Sequence, residues 1–273
     1  MSGKIGIIYS NDVEDAKKLA EDVQSEFTIR NVLTEKFSTD NLNKDISLAV
    51  VIGGDGTILK TARFYCEYDV PVVGINLGRL GFLSQIDPSE IGLVVKSFLE
   101  KDFEIQERMM LSEETTQLTA LNDIVIKNSD TGRTSRFVLS VNGKNLCEYL
   151  ADGLIVSTPT GSTAYNLSAG GPIIVPEMDV IVITAICPHT LNARPLVIPA
   201  DDVISISTKD SEEDFLLTAD GQNSKLISPK QTTIIKKYSV KAKLFTIKRE
   251  NNGFYTVLRD KLHWGKAPIC KND

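Results

Sequence analysis

Apolar runs and helical patterns alternate along the first hundred residues. The apolar runs predict buried strands at 4–9 ("KIGIIY"), 48–52 ("LAVVI") and 71–76 ("PVVGIN"). Segments with helical spacing or helix-start signals predict helices at 12–27, 57–68 and 88–102. Because continuous apolar strands separated by helices need both faces of their sheet covered, this pattern predicts an α/β domain with a parallel sheet.

Closely spaced strand patterns replace this alternation after about residue 104. The strand-like segments lie at 114–128, 135–146, 152–158, 179–186, 201–208, 214–221, 231–238, 241–249 and 254–260. Asn142-Gly143 predicts a tight hairpin turn, and one short helix is expected around 162–169. We therefore predict an α/β fold in which residues 1–104 form an amino-terminal domain with a Rossmann-like parallel sheet and residues 105–249 form a β-rich second domain.

Composition narrows the class of protein. The chain has 273 residues with 42% hydrophobic composition, enough for two domains, and its net charge of −6 argues against a broad nucleic-acid surface. Four scattered cysteines without a CxxC pair indicate neither a zinc ribbon nor a disulfide framework. The sequence lacks a signal-peptide layout and a long apolar run, so we expect a soluble, cytoplasmic protein with no membrane or nucleic-acid partner.

The turn "GGDGT" at 53–57 follows an apolar strand and precedes a helical pattern. Glycines there let phosphates approach the backbone, whereas the carboxylate of Asp55 repels phosphate unless a metal ion, a proton transfer or a hydroxyl compensates it. A plain strand-to-helix turn with Asp55 as the helix cap is the alternative interpretation. The chain contains neither GxxxxGK[ST] nor GxGxxG, so it has no Walker A loop and no Rossmann dinucleotide fingerprint.

Two further segments carry polar residues that could bind a ligand. "ADGLIVSTPTGSTAYNLSAGGPI" (151–173) places hydroxyls and small residues around a short helix, which suits a polar ligand, although a capped helix in a connecting loop explains it equally. Asn122-Asp123 interrupts an apolar strand pattern, where sugar hydroxyls could partner the pair or a bulge or edge could expose it to water. A serine nucleophile is disfavoured because no GxSxG elbow occurs.

Taken together with "NLGRLGFL" (76–83), "ARPLVIP" (193–199) and "ADGQ" (219–222), these motifs resemble those of the NAD kinases in content and order. The resemblance implies transfer of the γ-phosphate of ATP to the 2′-hydroxyl of the adenosine ribose of NAD, forming NADP and ADP. It implies Mg²⁺ or another divalent cation bound with ATP, with inorganic polyphosphate as an alternative donor, and a homodimer or homotetramer. It also implies that the tail at about 250–273 packs back on the first domain.

The resemblance assigns roles residue by residue. Asp55 corresponds to the catalytic proton acceptor, and the residues that meet the nucleotide phosphates are Gly53, Gly54, Gly56 and Lys60. The residues that match the NAD pocket are Asn122, Asp123, Arg133, Asp152, Thr163, Ala164, Tyr165, Asn166, Leu167, Ser168 and Gln222. Asp123 stands where many relatives have glutamate, so its shorter reach changes that contact. No residue is assigned as a metal ligand.

Two other functions share part of this pattern. A lipid kinase can carry "GGDGT", but it would favour a membrane-facing surface and would leave the 152–173 motif unexplained. A non-catalytic NAD sensor could keep the pocket, but the intact turn around Asp55 argues against it. The sequence leaves open the range of phosphate donors, the preference between NAD and NADH, feedback by NADP(H) and the number of subunits.

Overall fold

The computed structural model describes residues 3–78, 81–84, 86–129, 134–209, 212–229, 231–248 and 253–262. The described residues up to Gln106 and from Leu244 onward form one compact unit, and Glu107–Lys243 form a second. None of the helices in the described part of the chain is long and apolar enough to cross a membrane.

Strands and helices are numbered in chain order. The strands are β1 (Ile5–Tyr9), β2 (Thr34–Ser38), β3 (Leu48–Ile52), β4 (Val72–Ile75), β5 (Phe103–Arg108), β6 (Leu111–Glu113), β7 (Thr119–Ala120), β8 (Asp123–Asn128), β9 (Ser135–Val141), β10 (Lys144–Ala151), β11 (Gly153–Ser157), β12 (Val180–Ile186), β13 (Leu196–Pro199), β14 (Ile204–Lys209), β15 (Phe215–Ala219), β16 (Asn223–Ile227), β17 (Thr233–Lys237) and β18 (Ala242–Ile247). The α-helices are α1 (Glu14–Thr28), α2 (Asp55–Tyr65), α3 (Ile91–Glu100), α4 (Tyr165–Ser168) and α5 (Phe254–Leu262), and 3₁₀ turns span Cys66–Tyr68, Pro88–Glu90 and Thr160–Thr163.

A six-stranded sheet with the order β2-β1-β3-β4-β18-β5 forms the first unit's centre, and its pairs from β2 to β18 are parallel. Alternate residues of β1 and β3 pack with helices α1 and α3 in one apolar cluster. Every residue of β3 is buried, including those that alternate with the cluster, so both faces of the sheet are covered. The predicted parallel α/β domain is confirmed.

Several elements differ from the sequence-based prediction, which did not include the strands β5, β6, β13 and β16. β2 ("TEKFS") was not predicted, because its only buried residue is Phe37 and it lies at the edge of the sheet. The strand predicted at 241–249 was assigned to the β-rich region, yet β18 joins the first sheet beside β4. The strand predicted at 254–260 is wrong: this segment is helix α5, in which Val257 and Leu258 are buried and Phe254 packs against Phe82 with ring centroids 6.2 Å apart.

Helix α5 illustrates the physical reason for that error. Aromatic and β-branched residues such as Tyr255, Thr256 and Val257 favour strands by intrinsic preference. Phe254, Val257 and Leu258 have the i, i+3, i+4 spacing of one helix face, and burial of that face overrides the local preference.

The second unit contains two six-stranded sheets, ordered β10-β9-β14-β17-β6-β7 and β13-β12-β11-β8-β15-β16. Their strand pairs are antiparallel, and one apolar cluster draws residues from both sheets. The rings of Phe137 and Phe215 meet edge to face within it, with centroids 5.6 Å apart. The predicted β-rich second domain is confirmed.

Two hairpin turns of this unit have the same backbone form. The predicted turn at Asn142-Gly143 joins β9 to β10, with φ angles of 51° and 73°. Asp220-Gly221 joins β15 to β16, with φ angles of 52° and 64°. Positive φ at both central residues is the feature of a type I′ turn, for which Asn-Gly and Asp-Gly are the preferred sequences.

Candidate functional site

Asp55 stands at the first helical position of α2, directly after the extended Gly54. Its carboxylate does not cap its own helix; instead it accepts hydrogen bonds from a distant segment. The amide of Phe82 donates to Oδ2 (2.9 Å), and the amides of Leu83 (3.2 Å) and Ser84 (3.0 Å), together with the Ser84 hydroxyl (3.0 Å), donate to Oδ1. The helix-cap interpretation is therefore wrong for this aspartate.

Gly81 makes this arrangement sterically feasible. A Cβ atom at this position would lie 1.9 Å from Oδ1 of Asp55 and 2.2 Å from Oγ of Ser84. The carboxylate thus occupies space that any other residue at 81 would fill. The segment that resembles the family motif "NLGRLGFL" therefore holds the aspartate of "GGDGT" in the first unit.

The predicted phosphate-contacting residues lie around the start of α2. Gly54 and Gly56 are exposed, and a Cβ at Gly54 would meet no other described atom within 4 Å, so a ligand can approach this backbone. Lys60, farther along the helix, forms an ion pair with Asp40 at 2.6 Å, and both side chains are largely exposed. An exposed pair of this kind contributes little stability and exchanges readily for another partner.

Asn122 and Asp123 lie at the start of β8, between β11 and β15 in the middle of a sheet. Asp123 is only 4% exposed, so the edge-strand interpretation of this pair is wrong. Burial, reinforced by the charge of Asp220, raises the pKa of Asp123 to about 7. Its carboxyl group is therefore shared between the neutral and charged forms near neutral pH.

The backbone around this pair is held from two sides. The carboxylate of Asp220 accepts hydrogen bonds from the amides of Leu121 (3.1 Å), Asn122 (2.7 Å) and Asp123 (3.2 Å). The Thr158 hydroxyl donates to the Leu121 carbonyl (2.6 Å), and the Thr158 amide donates to the Asn122 carbonyl (2.8 Å). The motifs "ADGQ" and "STPTG" therefore meet at the Asn-Asp pair.

Tyr165, at the start of α4, is 44% exposed. Burial of part of the ring raises the pKa of Tyr165, and the charges of Cys187, Asp123 and Asp152 raise it further. Asp123 and Asp152 lie toward opposite ends of the paired strands β8 and β11, because Ser157 stands opposite Asp123 and Gly153 stands opposite Lys127. Tyr165 is therefore within electrostatic reach of both carboxyl groups, and its accessible ring offers a stacking surface.

Asn166 is fully buried, unlike Tyr165 and Leu167 on either side of it. Its amide nitrogen donates to the carbonyls of Ser162 (3.1 Å) and Pro172 (3.1 Å), and its oxygen accepts from the Thr184 hydroxyl (2.7 Å). A Cβ at Gly171 would lie 2.0 Å from the same oxygen. In this structure the Asn166 side chain anchors the turn, and a direct contact with NAD stays a prediction.

The remaining predicted NAD-contacting residues divide by exposure. Asp152, Thr163, Ala164 and Leu167 are half-buried, and Ser168 and Gln222 are exposed. Arg133 lies outside the described residues. No group of three or more His, Cys, Asp or Glu side chains that could hold a metal ion occurs within the described ranges.

Sequence reasoning did not identify the residues that hold the site. Gly81, Ser84, Thr158 and Asp220 all lie in or beside quoted motifs, but their contacts run to backbone atoms or to another motif. The clearest available signal was Asp220-Gly221, a turn dipeptide between two strand patterns.

Known protein families match this chain in both units. Residues 2–103 match the ATP-NAD kinase N-terminal domain, and residues 121–247 match the ATP-NAD kinase C-terminal domain. An NAD kinase of Citrifermentans bemidjiense is 45% identical over 246 residues, 87% of this chain and 84% of the relative. An NAD kinase of Prosthecochloris aestuarii is 38% identical over 281 residues, 96% of this chain and 97% of the relative.

A solved structure also resembles this fold. The crystal structure of an NAD kinase from Archaeoglobus fulgidus in complex with ATP aligns with a TM-score of 0.76 and 25% sequence identity. The alignment covers 92% of this chain and 95% of that one. The similarity therefore extends over the whole fold and is not confined to the glycine turn.

Proposed function

The chain belongs to the NAD kinase family, and on this premise we propose how its residues transfer the γ-phosphate of ATP to NAD. The acceptor is the 2′-hydroxyl of the adenosine ribose, and the products are NADP and ADP. The observation that carries this proposal is the held carboxylate of Asp55 within a glycine turn at a helix start. A lipid kinase would leave the buried carboxyl group of Asp123 and the accessible ring of Tyr165 without a role.

Asp55 is the proposed proton acceptor. Oδ1 of Asp55 accepts hydrogen bonds from Leu83 and Ser84. Among the described residues, Oδ2 accepts a single hydrogen bond, from the amide of Phe82. Oδ2 therefore keeps the lone pair that can take the ribose proton as the hydroxyl oxygen attacks the γ-phosphorus. Because phosphoryl transfer depends mainly on alignment and charge stabilisation, a fixed carboxylate suits this reaction.

The phosphates of ATP are proposed to meet the exposed backbone at Gly54 and Gly56, at the positive end of α2. Lys60 would exchange Asp40 for a phosphate oxygen. ATP brings Mg²⁺ as part of the substrate, and this ion offsets the repulsion between the phosphates and Asp55. Inorganic polyphosphate carries the same repeating anionic groups, so it is the alternative donor to test.

NAD is proposed to bind through the second unit. Asn122 and Asp123 would meet ribose hydroxyls, with Asp152 as a further acceptor, and Tyr165 would lie against a ring of the substrate. The remaining proposed contacts come from Arg133, Thr163, Ala164, Asn166, Leu167, Ser168 and Gln222.

We also propose a cytoplasmic homodimer or homotetramer. Cys66, Cys147 and Cys187 are free thiols, which suits a reducing compartment. Leu146 on β10 and Leu226 on β16 are 52% and 63% exposed on the outermost strands of the two sheets of the second unit. Apolar side chains on outer strands support association between copies of the chain.

The test is formation of NADP from NAD and MgATP by the purified protein, with NADH, polyphosphate and a diacylglycerol vesicle as separate arms. NADP formation supports the proposal, whereas NAD binding without turnover supports the sensor and lipid phosphorylation supports the lipid kinase. Asp55→Asn is expected to bind NAD but to lower kcat about 10²–10⁴-fold. Asp45→Asn, at an exposed aspartate of the same unit, is the matched control; normal turnover by Asp55→Asn would contradict the role of Asp55.

A further inference from the structure

We propose that Asp220 is a positioning residue for NAD, which acts on the substrate by fixing the peptide units that carry Asn122 and Asp123. The inference rests on the proposed NAD-binding role of that pair. Asp220 lies 97 residues from Asp123 in sequence, and its carboxylate reaches three successive backbone amides. No sequence pattern indicates this contact.

The three hydrogen bonds fix the direction of the chain as it enters β8. Oδ1 of Asp220 accepts from the amides of Asn122 (2.7 Å) and Asp123 (3.2 Å), and Oδ2 accepts from the amide of Leu121 (3.1 Å). The Asp220 amide donates in return to the Asp123 carbonyl at 2.9 Å. A carboxylate that binds several consecutive amides forms charge-assisted bonds, which are stronger than bonds between neutral groups.

The carbonyls of the same segment are held by the 157–161 turn. The Thr158 hydroxyl donates to the Leu121 carbonyl (2.6 Å), and the Thr158 amide donates to the Asn122 carbonyl (2.8 Å). A Cβ at Gly161 would lie 2.1 Å from the backbone carbonyl oxygen of Asn122. Protein groups thus occupy the backbone on both sides. The side chains of Asn122 and Asp123 are then the groups left to recognise a ligand, and their directions depend on this support.

The backbone at Asp220 explains why a short carboxylate reaches this position. Its φ of 52° lies in the left-handed region, which Asp, Asn and Gly adopt at low cost. The substitutions Asp220→Asn and Asp220→Gly would therefore keep the turn while changing or removing the acceptor. Asn142, with φ 51° in the matching turn, bonds to Asp202 and Val203, which lie outside this segment.

The charge of Asp220 has a second effect on the pair. Burial raises the pKa of Asp123, and the negative charge of Asp220 raises it further. Among the described residues, Tyr165 on α4 is a further titratable group within electrostatic reach of Asp123. Asp152 and Cys187, which also act on that tyrosine, lie toward the other end of β11, where Gly153 stands opposite Ile186. Replacing Asp220 by a neutral residue lowers the pKa of Asp123, so a pH profile that depends on Asp123 moves toward lower pH.

The experiment compares Asp220→Asn and Asp220→Gly with the control Asn142→Gly in the full chain. Asp220→Gly is expected to raise KM for NAD about 10-fold or more while KM for MgATP stays within about 2-fold. Asp220→Asn, which retains one oxygen, gives a smaller rise and shifts the pH profile of KM for NAD to lower pH. Asn142→Gly changes neither quantity.

Unchanged KM for NAD and an unmoved pH profile in Asp220→Asn overturn the inference. So do equal rises of both KM values, because they indicate a general structural defect. If the wild-type protein makes no NADP, the proposed function fails; calorimetric titration of NAD into the same variants then still tests the positioning role. If Asp220→Gly does not fold, Asp220→Asn decides the question.

Discussion

At the scale of single residues, hydrogen bonds set the orientation of Asp55 in the glycine turn. The carboxylate of Asp55 is held by amides from Phe82 to Ser84, so its orientation is set by a segment almost thirty residues away. In the proposed role of proton acceptor, a freely rotating aspartate would have to be ordered during each turnover, whereas the carboxylate of Asp55 is already oriented. Its immediate sequence neighbours alone would have predicted a helix cap.

Gly81 gives a direct test of this orientation. In Gly81→Ala the new methyl group would lie 1.9 Å from Oδ1 of Asp55, so the carboxylate must move away. We expect kcat to fall about 10- to 100-fold with KM for NAD little changed, since a small misplacement of a reacting group has an effect of this size. Steady-state kinetics and the melting temperature are the measurements.

Gly78→Ala is the matched control. Gly78 lies in the same segment, and a Cβ there would meet no other described atom within 4 Å. Its kcat should stay within about 2-fold of the wild-type value, as expected for a surface change. Equal effects of the two substitutions would show that Gly81 does not act through Asp55.

At the level of elements, burial pattern decided which predictions were correct. β3 and β11 are buried at every residue, and their continuous apolar runs identified them in the sequence. β2 has too few apolar residues to be recognised, and α5 carries strand-forming residues on a helix. In α5 burial of one helix face overrides the local strand preference, and β2 is fixed by its pairing with β1.

The candidate site also divides into residues that the sequence singles out and residues that it does not. Motif resemblance predicts roles for Asp55, Asn122 and Tyr165, because they belong to the quoted motifs that resemble those of the NAD kinases. It could not identify Thr158 or Asp220 as supports, because their partners are backbone groups, which have the same chemistry at every position. Contacts of this kind depend on three-dimensional register alone.

The turn at α4 provides the prediction for this scale. Asn166→Ala would leave the buried Ser162 carbonyl and Thr184 hydroxyl, and the part-buried Pro172 carbonyl, without this partner. We expect the free energy of unfolding to fall by about 2–3 kcal/mol. Urea denaturation measures this change. Ser168→Ala, at an exposed position of the same helix, should change stability by less than about 0.5 kcal/mol, and similar losses in both variants would contradict the anchoring role.

Across the whole molecule, the chain leaves the first unit after Gln106 and returns to it at Leu244. β18 pairs with β4, so the first sheet is completed only after the entire second unit has been synthesised. Phe245 of this strand stacks on Phe103 of β5, with ring centroids 4.6 Å apart. The first hundred residues therefore do not contain all the strands of the first unit's sheet.

Stability of the whole chain should carry a pH dependence that originates at Asp123. The pKa of this buried carboxyl rises from 3.8 to about 7 on folding, mainly because of burial and secondarily because of Asp220. Between about pH 4 and pH 7 the folded state then binds more protons at this residue than the unfolded state does, so its contribution to stability decreases as pH rises. At pH 8 the charged form is buried at a cost on the order of 4 kcal/mol relative to pH 4.

Asp123→Asn removes this titration while keeping the shape of the side chain. We expect the free energy of unfolding of Asp123→Asn, relative to wild type, to increase from about pH 4 to pH 8 and to level off above that, because the wild-type carboxyl is by then fully charged. Urea denaturation at several pH values measures the difference. Asp201→Asn, at a carboxylate whose side chain is 90% exposed, is the matched control. A constant difference between Asp123→Asn and wild type across this range would mean that folding does not raise the pKa of Asp123, and it would contradict this prediction.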